Sequence, residues 1–275
     1  MIQMKFIRKM LNRALQPYLS QYKQLHIRDI HEINKRLITL ESMLEGLYDA
    51  QDIQKKYCIA CNTHVSIFHA YGPRGYGEIR KNDMCPICNS SSRHRTMALH
   101  FSTQEDWYNN ENIGDKIKIL HFAPEKCFYN KFSQAKNIDY YPVDYNPQFP
   151  GIRNVIDIQN INFPEQMFDI IICNGVLEAV PNDSKAMSEL KRVLKPGGKL
   201  YLNMYYYYDL TSTEEYKTAV NNVFRKYGSD IKDKLQRVDF VVDVVEPHLE
   251  LTETELSYYG INKATPVVKC TVSDE

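Results

Sequence analysis

The chain has 275 residues, 43% hydrophobic and 25% charged, which suits one sizeable globular domain with a smaller attachment. Its 34 Lys+Arg balance 34 Asp+Glu, so no global positive field draws it to nucleic acid. No stretch approaches the ~18 consecutive apolar residues of a membrane-spanning helix, and Lys5, Arg8, Lys9 and Arg13 interrupt the region where a secretory signal needs an apolar core. The expected location is the cytoplasm.

Residues 1–24 carry five basic residues and no acidic one. Ile2, Phe6, Ile7, Met10 and Leu11 form an apolar face. That face suits either peripheral contact of residues 1–15 with the inner face of the membrane or packing on a partner chain. Ile30, Ile33, Leu37, Leu40, Leu44 and Leu47 then alternate by three and four, as a and d positions of just under three heptads. Arg36 falls at g and Glu41 at the following e. A stripe this short must be buried, either in a coiled-coil homo-oligomer through residues 30–47 or on the chain's own main domain. Residues 1–52 are therefore expected to form a helical segment for oligomerisation or membrane-surface contact.

Cys58-Ile59-Ala60-Cys61 is followed after 23 residues by Cys85-Pro86-Ile87-Cys88. Each pair places two thiolates on one tight turn, and four thiolates satisfy tetrahedral zinc at ~2.3 Å. Asn62 and Asn89 suit the turns that follow such knuckles. The spacing predicts a zinc ribbon over residues 53–95 with Cys58, Cys61, Cys85 and Cys88 as ligands. Four protein ligands leave no open position, so the metal serves folding. His64 and His69 are spare donors, and Cys127, Cys173 and Cys270 read as packing residues. Directly after the second pair, Arg93-His94-Arg95 makes a compact cationic cluster at an expected helix start. It either holds an anionic substrate group or fastens the ribbon to the following domain.

The remaining chain alternates strands and helices. Lys116–Phe122 reads as a first strand and Asp139–Val143 as a second, ending at Asp144. Val155-Ile156-Asp157-Ile158 reads as a third and Ile170–Cys173 as a fourth, buried on both faces. Pro181-Asn182-Asp183 starts a helix, with Ala186, Met187, Leu190, Val193 and Leu194 at helical spacing. Lys195-Pro196-Gly197-Gly198 stops it, and Leu200–Asn203 begins a fifth strand. Strand, helix and strand form a βαβ unit. Residues 214–236 read as a helix, with Phe240–Val245 and Pro266–Val272 as the last two strands. An acid ending a second strand, Asp144, can accept hydrogen bonds from both ribose hydroxyls of a nucleoside. The tyrosines ending strand five, among them Tyr205 and Tyr206, offer either stacking faces and hydroxyls to a ring substrate or an aromatic lid.

The run FDIIICNGVLEAVPNDSKAMSELKRVLKPGGKLYL resembles the second half of a class I S-adenosylmethionine (SAM)-dependent methyltransferase. The Cys-Pro-x-Cys knuckle with its Ser-x-x-Arg-His-Arg run resembles a bacterial group of these enzymes that carries an N-terminal zinc ribbon. The resemblance implies a Rossmann-like, seven-stranded α/β domain over residues 96–275 and SAM as cofactor. It implies Asp144 on the ribose, Asp157 and Ile158 at the adenine, and Asn174 and Gly175 beneath the methionine part. The turn after strand one, usually acid-x-Gly-x-Gly in the family, reads His121-Phe122-Ala123-Pro124-Glu125. These five are expected to underlie the cofactor. His121, on position, and His94 are the candidates for a general base. Arg93, Arg95, Tyr205 and Tyr206 are the candidate substrate contacts.

The first functional expectation is O-methylation of a sugar or glycan-linked acceptor in cell-surface polysaccharide synthesis. The alternatives are an RNA-base methyltransferase, which the balanced charge disfavours, and a non-catalytic assembly subunit with a degenerate methyltransferase fold.

Overall fold

The computed structural model describes residues 27–48, 56–71, 79–109, 114–147, 151–152, 154–204, 210–220, 223–262 and 266–273. Tyr205, Tyr206 and residues 1–15 lie outside them. Helix α1 (Ile27–Tyr48) leads to two antiparallel hairpins. The first joins β1 (Lys56–Cys58) to β2 (Thr63–Val65), and the second β3 (His69–Tyr71) to β4 (Arg80–Met84). The first Cys-x-x-Cys pair turns β1 into β2, and the second follows β4. Asn62 and Asn89 adopt the left-handed φ of +53° and +59° that lets each knuckle turn back.

After α2 (Ser92–Gln104) and the short α3 (Asp106–Asn109), the chain builds one seven-stranded sheet. Its strands are β5 (Ile117–Phe122), then, after α4 (Lys126–Gln134), β6 (Ile138–Asp144), β7 (Asn154–Val155), β8 (Phe168–Asn174), β9 (Leu194–Asn203), β12 (Phe240–Val245) and β13 (Val267–Val272). The order is β12-β13-β9-β8-β5-β6-β7, with β13 antiparallel to both neighbours and the other pairings parallel. This is a Rossmann-like, largely parallel α/β sheet. The expected third strand shrinks to Asn154–Val155, because only these two residues pair with β6 before the chain turns inward at buried Ile156.

The βαβ unit forms as its apolar spacing requires. Asn182 caps α5 (Asp183–Val193), its side chain accepting from the Lys185 amide at 2.9 Å, and Ala186, Met187, Leu190 and Val193 are buried on the sheet. Gly198 is obligatory at the return, since a Cβ there would lie 2.7 Å from the Lys195 carbonyl oxygen.

The expected helix over 214–236 is mostly a hairpin, β10 (Glu214–Val220) with β11 (Val223–Lys226), and only α6 (Ile231–Gln236) is helical. Buried Arg225 decides this. It reaches the carbonyls of Leu177 and Val180 at 2.7 Å and of Pro181 at 2.9 Å, and pairs with Glu215 on the neighbouring strand. A strand places Arg225 opposite Glu215 and in reach of these carbonyls. Local helical spacing cannot compete with that buried cation.

Both faces of the sheet are covered. One carries α5, α6 and the apolar ends of β5 and β6. The other joins α2 and an aromatic group (Phe101, Trp107, Phe128, Phe132, Tyr201) to the hairpins through Cys58, Phe68 and Cys88, so the hairpins and the sheet share one core. The boundary expected at 95/96 falls inside α2.

Arg95 fastens this junction. It is fully buried, with its guanidinium 4.0 Å from the Phe68 ring centroid. It donates to the carbonyls of Ser90 (2.6 Å) and Asp83 (2.8 Å) in the ribbon, and of Tyr259 (2.8 Å) and Gly260 (2.5 Å) at the end of α7 (Glu253–Tyr259). Its expected role as a substrate contact is thus corrected: its donors face backbone carbonyls inside the protein. Helix α1 lies against β3 and β4, where the Ala70 amide donates to Thr39 Oγ1 at 3.1 Å. Leu40 of the heptad seam is 54% exposed. Arg95→Met should lower unfolding stability in urea by about 3–5 kcal/mol, because the buried carbonyls of Ser90, Asp83, Tyr259 and Gly260 lose their guanidinium donor. A loss within about 0.5 kcal/mol would contradict the fastening role.

Candidate functional site

Parallel strands end together, and their carboxyl ends open a cleft of about 450 Å³. Its floor begins at β5, where Phe122 and Ala123 line it. Ala123 sits at φ +48°, the left-handed region that costs an L-residue ~1 kcal/mol and that glycine enters freely. Its amide donates to the Val143 carbonyl at 2.9 Å, so the turn closes against β6 without glycine. Asp144, ending β6, lines the cleft beside Tyr145. Its Oδ1 accepts from the Asn146 amide at 2.7 Å, which orients the carboxylate and leaves Oδ2 for a ligand. Asp157 is held likewise, accepting from the Gln159 amide at 2.8 Å, with Ile156 and Ile158 as its apolar neighbours in the cleft. Gly175 closes the end of β8 at φ +65°, where a Cβ would lie 2.9 Å from Arg93 Nη1.

The cleft therefore gathers Phe122, Ala123, Asp144, Asp157, Ile158 and Gly175 from the expected residues. His121, Pro124, Glu125 and Asn174 do not line it. His121 is fully buried, with Nδ1 2.9 Å from the Tyr140 hydroxyl and Nε2 2.9 Å from Glu125 Oε2. The expectation that His121 serves as a base is corrected: both nitrogens are engaged behind the cleft. Asn174 is buried, donating to Glu125 Oε1 at 2.9 Å and accepting from the Asn203 amide at 3.0 Å. His94 is buried too, and burial, the largest influence, pushes its pKa down to about 3. Burial encloses the His94 ring away from the cleft, so the geometry does not favour it as a base. Sequence reasoning missed Tyr145, Gln159 and the Val176–Pro181 wall; the last is held by Arg225, whose charge gave no local signal.

Glu125 sits at the centre of this buried group. Burial favours its neutral acid, but the His121 hydrogen bond and the nearby His94 and Arg93 outweigh that and hold its carboxyl at about 2, below the ordinary 4.5. A depressed carboxyl contributes stability that is present above its unfolded value and is lost as pH falls through the folded one.

At the ribbon, the Sγ atoms of Cys58, Cys61, Cys85 and Cys88 lie within 4.8 Å of one another, with Cys58 to Cys88 at 3.7 Å and Cys61 to Cys85 at 4.0 Å. Tetrahedral thiolates at ~2.3 Å from a metal stand roughly 3.8 Å apart, so the donor set fits such an ion. Ser90 Oγ lies 3.2 Å from both Cys58 and Cys88 Sγ, placed to orient thiolates from outside. His64 packs edge-on against Tyr57 and is not in the cluster.

Two measurements follow. Between pH 4.5 and 2 the wild-type protein should lose a component of stability that Glu125→Gln lacks; parallel pH profiles would contradict the ionised carboxylate. Ala123→Gly should stabilise by roughly 0.5–1 kcal/mol and Gly175→Ala destabilise by at least about 1 kcal/mol in urea unfolding. The same sign for both would contradict the left-handed turn.

Residues 131–202 match the methyltransferase domain family. A sterol 4-C-methyltransferase of Caenorhabditis elegans is 40% identical over 60 residues, 22% of this chain and 16% of that protein. A tRNA U34 carboxymethyltransferase of Campylobacter curvus is 24% identical over 110 residues, 40% of this chain and 36% of that protein. The chain thus spans only a minor part of these curated relatives. Among solved structures, the YcgJ protein of Bacillus subtilis is similar at 13% identity and a TM-score of 0.46, over 66% of this chain and 100% of that one. The 1,6-didemethyltoxoflavin-N1-methyltransferase of Burkholderia thailandensis, solved with S-adenosylhomocysteine, is similar at 14% identity and a TM-score of 0.44, over 63% of this chain and 81% of that one. The family match falls on β6, β7, β8, α5 and β9, among them strands whose ends open the cleft.

Proposed function

We propose that the protein is a SAM-dependent methyltransferase whose donor occupies the cleft at the ends of β5, β6 and β8. The observation that carries this reading is the pairing of Asp144 and Asp157, each oriented by a backbone amide, with apolar Ile156 and Ile158 in one cleft. Carboxylates beside an apolar slot suit the hydroxyls and flat base of a nucleoside, and the volume suits a small-molecule site. When bound, SAM supplies an electrophilic methyl group on a sulfonium. This chain's residues hold the nucleoside, give the Ala123 turn its shape and leave Gly175 without a Cβ where β8 meets the cleft. Positioning an acceptor in line is the main acceleration they provide.

For the acceptor we take a hydroxyl of a sugar or glycan-linked compound, as in cell-surface polysaccharide synthesis. The support is the resemblance carried by the knuckle and its Ser-x-x-Arg-His-Arg run, and the tyrosines that follow β9 in sequence. The tRNA-acting relative favours RNA as a second acceptor class; there, filter binding would weaken steeply with salt. The four cysteines are proposed to hold structural zinc, supported by their spacing and by the positive charge of buried Arg95 nearby. The exposed Leu40 face of α1 is proposed to pair with a second copy, Arg36 facing Glu41 of the partner helix; a chain lacking residues 1–50 with unchanged sedimentation would contradict it.

Calorimetry of SAM and S-adenosylhomocysteine with the zinc-loaded protein tests the main reading. Micromolar binding that Asp144→Ala weakens at least about tenfold is expected, since the carboxylate loses charge-assisted hydrogen bonds. No binding by the wild-type protein would move the reading to a non-catalytic assembly subunit.

A further inference from the structure

The segment after β7 and the segment after β8 line one cleft, although β5 and β6 stand between those two strands in the sheet. Asp157 and Gln159 belong to the first segment, Val180 and Pro181 to the second. The Gln159 side chain joins the two. Its Nε2 lies 3.1 Å from Asp157 Oδ1 and 3.4 Å from Oδ2, and the Asn182 amide donates to its Oε1 at 3.0 Å. A backbone amide only donates and an ionised carboxylate only accepts, so these partners fix which end of the glutamine amide is nitrogen.

Both ends of this bridge are anchored. Asn182 caps α5, and the Pro181 carbonyl before it accepts from buried Arg225 at 2.9 Å. Beyond Gln159 the backbone has its own hold on α5. The Ile161 amide donates to Glu189 Oε2 at 2.7 Å, and Arg192 donates to the Ile161 carbonyl at 2.7 Å. Removing the glutamine amide therefore leaves the segment in place and frees the Asp157 carboxylate. The Gln159 backbone amide holds Oδ1 alone, at 2.8 Å, whereas the side-chain amide reaches both oxygens and so sets the plane of the group.

We infer that Gln159 is a specificity-determining positioning residue, whose side-chain amide braces the Asp157 carboxylate against the Asn182 amide and fixes it as an acceptor for the base of the cofactor. The inference rests on the proposed cofactor reading, with Asp157 at the base, and deepens it. A fixed anionic acceptor selects a base that carries an amino group, as adenine does. It disfavours one with a carbonyl oxygen in that place, as in hypoxanthine, because carboxylate and carbonyl then face each other with no proton between them.

The test compares wild type, Gln159→Met and Gln159→Glu, all zinc-loaded, by thermal unfolding and by calorimetry with S-adenosylhomocysteine and its hypoxanthine analogue, S-inosylhomocysteine. Methionine keeps the length and removes both polar contacts. Glutamate keeps an acceptor for the Asn182 amide and takes the donor away from Asp157. Both variants should melt within about 3 °C of wild type, since Gln159 is only half-buried. Wild type should prefer the adenine form at least about tenfold. In both variants that preference should shrink at least about threefold, chiefly through weaker S-adenosylhomocysteine binding. An unchanged preference in the folded variants, or an equal loss for the two ligands, would overturn the inference and leave the cofactor reading standing. A wild type that binds both ligands alike would do the same. Absence of S-adenosylhomocysteine binding by the wild type would overturn the cofactor reading and the inference with it.

Discussion

The carboxylate of Glu125 is the constraint on which the cleft depends. A buried negative charge is costly unless every lone pair finds a donor. Here the donors come from β5 through His121 and from β8 through Asn174, with His94 and Arg93 of α2 beside them. Satisfying one anion therefore brings three elements to fixed places. Those elements define the end of the sheet where ligands of open α/β folds bind. The turn that carries Glu125 has no glycine, and its left-handed Ala123 persists because the surrounding bonds over-determine it.

The two N-terminal hairpins enter this arrangement as part of the same body. Arg95 ties β4 and the second knuckle to the end of α7, while Phe68 packs on Arg95 and beneath Gly260. Neighbouring residues Arg93, His94 and Arg95 thus divide their work. Arg95 faces the ribbon and α7, His94 faces Glu125, and the Arg93 guanidinium stands over Gly175 at the end of β8. A helix turns each successive side chain by about 100°, which is why three adjacent residues serve three surfaces.

Much of this was legible in the sequence wherever local pattern and burial agree. The unit from Phe168 to Asn203 reads correctly because its apolar spacing, its Asn182 cap and its glycine return all point the same way. The cysteine pairs and the left-handed Asn62 and Asn89 are equally local signals. Other features were decided at a distance. The hairpin over Glu214–Lys226 follows from carbonyls near Pro181 that seek Arg225, some 44 residues away in sequence. The burial of His121 depends on Tyr140 from the next strand and on Glu125. Whether an arginine in Arg-His-Arg faces a ligand or a carbonyl depends on helix phase against the ribbon, which spacing alone does not reveal.

The central claim is that SAM lies in the cleft lined by Phe122, Ala123 and the two aspartates. Ultraviolet cross-linking of methyl-tritiated SAM to the zinc-loaded protein, followed by peptide mapping, tests it most directly. The account predicts label in peptides holding Phe122–Glu125 or Asp144–Gln159, lost when unlabelled S-adenosylhomocysteine competes. Label confined to the ribbon, or none in a folded, metal-loaded protein, would contradict it.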